Sequence, residues 1–202
     1  MSDALPPIRQ PIASPSPVKP ARTGLQRRQL LGGAFAAGLL ALVAYQGTQS
    51  FMAGGSDDVS AQQLAAMQAD WSKATTQGIQ VQPVTVDQVE AAVATMALPP
   101  DRAAALIADV QAQRQELIWL SVWDSMAEDG DTVGLASGGV RVVVRLAKTP
   151  KTIALPRPVD GTVLMDGVFD GGGGITVGIA SGAGQILIPP FETGATLGLP
   201  VR

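Results

Sequence analysis

From Glu116 onward, apolar positions recur at every second residue. Ile118, Leu120 and Val122 alternate with Trp119, Ser121 and Trp123, the period of a strand with one buried face. Similar runs follow at 132–136, 140–146, 152–155, 162–168, 175–180, 185–188 and 196–201. Turn signals separate them: Glu128-Asp129-Gly130-Asp131, Ser137-Gly138-Gly139, Thr149-Pro150, Asp160-Gly161, Asp170 with four glycines, Ser181-Gly182-Ala183-Gly184 and Pro189-Pro190. Seven or eight short strands at about 8–12-residue spacing predict a mainly β fold, an antiparallel β-sandwich over 116–202. Trp119 or Trp123 is the expected plug between its sheets.

Before Glu116 the period is near 3.6. Ser60 opens a helix with Leu64, Met67 and Trp71 on one face, ending near Gly78. Residues 79–83 read as extended. Asp87 is the expected N-cap of a helix whose apolar face is Val89, Val93 and Met96. Pro99-Pro100-Asp101 begins another, reaching about Arg114, because proline suits a first turn. These helices are rich in alanine and poor in large apolar residues. Residues 60–115 are therefore expected to form a spacer or small subdomain that packs on the β-domain or on another copy.

A different pattern stands at the start. Residues 30–45 carry no charge and follow directly on Arg27 and Arg28. Sixteen helical residues rise about 24 Å, a little short of a hydrocarbon core of about 30 Å, so polar flanks would sit at the interfaces. Five basic residues precede this run against one acid; nine basic and sixteen acidic residues follow it. Basic flanks stay on the cytoplasmic side, so Arg27 and Arg28 orient the segment with the remainder exported. The chain then divides into a proline-rich disordered cytoplasmic tail (1–26), a transmembrane anchor or uncleaved signal (27–47), a linker (48–59), the helices and the sandwich. The localisation this implies is a bacterial inner membrane, single-pass, with a periplasmic C-terminal domain. Cleavage of the segment as an export signal is the competing reading, although Leu42 or Phe51 would stand where a small residue belongs.

Composition narrows the chemistry. With no cysteine and no histidine, the chain lacks thiol chemistry, disulfides, the commonest general base and the commonest zinc ligand. The acidic exported part is a poor match for nucleic acid, whose phosphates need clustered Lys and Arg. No catalytic residues and no required cofactor are predicted.

Two stretches resemble known families. Gln26-Arg27-Arg28-Gln29-Leu30-Leu31 resembles the core of a twin-arginine signal, without the usual lysine after the leucines. Val122-Trp123-Asp124, Glu128-Asp129-Gly130-Asp131-Thr132-Val133 and Ser137-Gly138-Gly139-Val140 resemble the opening of immunoglobulin-like β-sandwich modules in bacterial exported proteins. That likeness implies an Ig-like sandwich used as an accessory or binding unit. The later part departs from it, with Asp170 and four glycines in place of the segment expected there.

Asp124, Glu128, Asp129 and Asp131 are the candidate metal residues. Calcium takes six to eight hard oxygens, which such a loop can supply with its carbonyls, and Asp166 and Asp170 join if their loops share that end. The spacing is not that of an EF-hand, and the alternative is a turn in which Asp side chains accept backbone N–H groups. The four-glycine run lacks the Gly-Lys-Ser/Thr ending of a phosphate loop and reads as a hairpin turn. The leading expectation is a membrane-anchored exported structural or interaction protein, presenting its sandwich to an envelope or secretion-apparatus partner or to another copy of itself. A calcium-stabilised ligand-binding or adhesive module is the second, and a carboxylate-dependent hydrolase the third.

Overall fold

The computed structural model describes residues 59–202. The tail, the apolar run with Arg27 and Arg28, and nearly all of the linker lie outside the described residues. Among those described, no helix is long and apolar enough to cross a membrane.

Helix α1 (Ala61–Gln77) starts at Ser60, whose hydroxyl accepts from Gln63 N while the Gln63 side chain accepts from Ser60 N. This reciprocal cap satisfies two N–H groups that a helix start otherwise leaves open. Gly78 ends the helix, and strand β1 (Gln82–Pro83) follows. Helix α2 (Val89–Ala94) grows out of a 3-10 turn at Val86–Gln88. Asp87 lies inside that turn and is not the N-cap, because the Gln88 side chain accepts from Thr85 N and starts the turn earlier. Helix α3 (Pro100–Gln111) has Pro100 at its first position.

Eight further strands complete the chain: β2 (Leu117–Asp124), β3 (Thr132–Ser137), β4 (Val140–Arg145), β5 (Lys151–Pro156), β6 (Thr162–Phe169), β7 (Ile175–Ser181), β8 (Gly184–Phe191) and β9 (Thr196–Pro200). They form two antiparallel sheets. In one, β2 pairs with β1, β5 and β7, and β7 pairs with β8; the other runs β4-β3-β6-β9. The period-2 rule is plain in β4, where Val140, Val142 and Val144 are buried and Arg141, Val143 and Arg145 are exposed.

Strand β2 breaks that alternation because both of its faces are covered. Leu120 and Val122 are wholly buried beside Ile153 and Ile179 of the neighbouring strands. Residues of the other parity turn toward the helices: the Trp119 indole donates to Gln88 Oε1 at 3.3 Å. Trp123 lies flat on Gly178, where a Cβ would collide with its ring. Neither tryptophan plugs the space between the sheets, since their parity places them opposite Leu120 and Val122. Helix α1 packs on β8, and α2 packs on β2 and β5. Ala74, Val89, Ala92, Val93 and Met96 thus join the same hydrophobic cluster as Leu117, Ala154 and Leu155. The Ala-rich helices share a core with the sheet.

Pro189 and Pro190, expected to mark a turn, sit within β8. The register slips there, with Ile175 opposite Phe191 and Val177 opposite Ile188, so both prolines face Thr176 as a bulge. Among the described residues, strand β8 pairs only with β7, and an irregular edge strand is where the sheet tolerates residues without an N–H.

Candidate metal centre

Asp124 ends β2 with the parity of Leu120 and Val122, so its carboxylate points into the end of the inter-sheet space. It is 0% exposed. Its Oδ1 accepts from Met126 N at 3.0 Å and from Thr176 Oγ1 at 3.1 Å. Its Oδ2 is buried and has no hydrogen-bond partner.

The loop to β3 returns two more carboxylates to this point. Gly130 takes φ +110°, a conformation that side chains disfavour, and so reverses the chain between Asp129 and Asp131. Asp131 is 1% exposed; its Oδ1 accepts from Gly171 N at 3.0 Å and its Oδ2 from Thr176 N at 2.8 Å. Asp129 Oδ1 accepts from Asp131 N at 3.3 Å, and its Oδ2 is buried without a partner. The glycine-rich β6–β7 loop presses on the cluster from the other side. A Cβ on Gly171 would lie 2.5 Å from Asp129 Cγ and Oδ1, so only glycine fits that approach.

One oxygen from each of Asp124, Asp129 and Asp131 lies within 4.8 Å of the others. Burial pushes the Asp131 carboxyl up to about 6, against the Thr176 and Gly171 N–H groups and with help from Asp129 and Asp124. Burial also raises Asp124, opposed by Met126 N–H, the Thr176 hydroxyl and Lys148. Among the described residues, Lys148 pairs with the triad, its Nζ 4.0 Å from Asp124 Oδ1. The three carboxylates, those of Asp124 and Asp131 fully buried and that of Asp129 partly so, form a group of hard oxygen donors able to hold a metal ion.

The remaining acids go elsewhere. Glu128 turns outward, and its Oε2 accepts from Lys148 N at 2.9 Å; it grips the backbone of the lysine instead of joining the triad. Asp170 Oδ1 accepts from Gly172 N and Gly174 N at 2.8 and 3.3 Å, closing its own hairpin. Asp166 pairs with Arg141 on the outer face of the sheet. Two contributors escaped the sequence reading. Thr176 serves Asp131 with its N–H and Asp124 with its hydroxyl, and its only sequence signal is a lone polar residue between Ile175 and Val177. Nothing in the sequence places Lys148 beside Asp124.

Comparison of the chain with protein-family models, with characterised proteins and with solved structures finds no match.

Proposed function

We propose that this chain is a non-enzymatic, single-pass membrane protein whose exported, Ig-like sandwich binds another polypeptide of the bacterial envelope or secretion apparatus. The observation that carries this is the inequality of the two sheets. Helices cover the outer face of the sheet containing β2. The outer face of β4-β3-β6-β9 instead bears Val143 at 53% and Phe169 at 56% exposure, with Leu164 also exposed. Apolar side chains exposed on the open face support an interaction role. Arg27 and Arg28 would orient the anchor, and residues 48–59 would be its tether, since the helices lie on the sheet.

Two experiments test this. A reporter fused after Arg202 should be active only outside the cytosol; activity confined to the cytosol would overturn the export. A photo-crosslinker at Val143 or Leu164 in intact cells should capture a distinct envelope protein. Adducts of the chain with itself would replace that partner by a homo-oligomer, and no adduct at either position would remove the interaction role.

A second reading is favoured by the two bare oxygens, Asp124 Oδ2 and Asp129 Oδ2. An unpaired buried carboxylate oxygen is costly, and a calcium ion at the triad would satisfy both. In this reading calcium clamps the β2–β3 and β6–β7 loops and stabilises the sandwich by mass action. The melting midpoint of the full chain in detergent should then be higher in millimolar calcium than in chelator. An unchanged midpoint would sink the calcium reading.

A further inference from the structure

Lys148 stands where a second cation would compete with a bound ion. The residue follows β4 at the point where the chain crosses the end of β2: Asp124 N donates to Ala147 O at 2.9 Å, and Glu128 Oε2 holds Lys148 N. Its backbone is therefore fixed over the triad, while its side chain is 41% exposed and its ammonium lies 4.0 Å from Asp124 Oδ1. Arg145, whose guanidinium lies against Gly130 in the same loop, is a further nearby cation. Three carboxylates against one ammonium leave a net charge of −2, suited to a divalent ion.

We propose that Lys148 acts as a built-in counter-ion that holds the triad together without metal and is expelled by a divalent cation entering among Asp124, Asp129 and Asp131. The proposal rests on the calcium reading of the same site. An ion ligated by Asp124 would lie within a few ångströms of the ammonium, where like charges repel strongly unless water intervenes. The half-exposed lysine can leave for solvent, whereas the buried aspartates cannot. The site would thus bind calcium more weakly than three carboxylates alone, and would keep its loops in place when calcium is low.

The test is calorimetric titration of the full chain in detergent with calcium, for the native chain, Lys148→Gln and Lys148→Arg. Lys148→Gln should bind at least about tenfold more tightly, as expected for removing a like charge at this range, while Lys148→Arg stays near the native value. Equal affinity of the native chain and Lys148→Gln overturns the counter-ion and leaves the calcium reading standing. Binding by Lys148→Gln alone overturns both the calcium reading of the native chain and the expulsion proposed here. Binding by neither removes both. Should Lys148→Gln fail to fold, labelling of Lys148 in the native chain decides. Acetic anhydride labelling of Lys148, read by mass spectrometry, should increase on calcium addition; unchanged labelling contradicts the expulsion.

Discussion

Asp166 and Asp124 are both strand aspartates facing a cation, yet their surroundings differ. On the open sheet face, Asp166 receives both prongs of the Arg141 guanidinium across Gly134, and both partners are partly exposed. At the loop end, Asp124 is sealed from solvent with one oxygen bare, two further carboxylates close by, and a lysine no nearer than 4.0 Å. Exposure to solvent and a forked guanidinium characterise the first arrangement. The second is buried, under-compensated and held by backbone N–H groups. The difference teaches that position in the sandwich, more than charge count, decides which acids form a candidate site.

Substitutions should widen that contrast. Asp131→Ala removes the acceptor of the buried Thr176 N–H and of Gly171 N–H, and should cost about 2–5 kcal/mol, measured as the shift in urea midpoint in chelator. Gly171→Ala drives a methyl into Asp129 and should cost about 1–3 kcal/mol, with any gain from calcium lost in the same melts. Acidity gives a smaller effect. The folded pKa of Asp131 is raised, so its stabilising contribution is full below the unfolded value near 3.8 and is lost as pH rises through about 6. In chelator the native chain should therefore melt a few degrees higher at pH 4.5 than at pH 6.5, relative to Asp131→Asn. The raised Asp124 adds in the same direction. Arg141→Ala should change stability by less than about 1 kcal/mol, as exposed pairs do, and equally with or without calcium.

Much of the sandwich is legible because its alternation is local. Val140, Val142 and Val144 declare a one-sided strand, and Ser60 and Gly78 bracket α1 without reference to anything distant. The failures are tertiary. Pro189-Pro190 resembles a turn until β7 supplies the bulge opposite, and the tryptophan face depends on where the helices fold back. In the site, the acidic loop announced itself, and Asp129 and Asp131 were visible through Gly130. That Glu128 turns away to hold Lys148, and that Thr176 and Gly171 arrive from forty residues later, follows only from strand pairing.

Trp123 precedes Asp124 directly, which makes terbium luminescence the most direct measurement of a cation at the triad. Excitation of the full chain in detergent with added terbium should give indole-sensitised emission that calcium displaces and that Asp124→Asn abolishes. Absence of emission, or emission indifferent to both calcium and Asp124→Asn, would show that the buried carboxylates hold no ion.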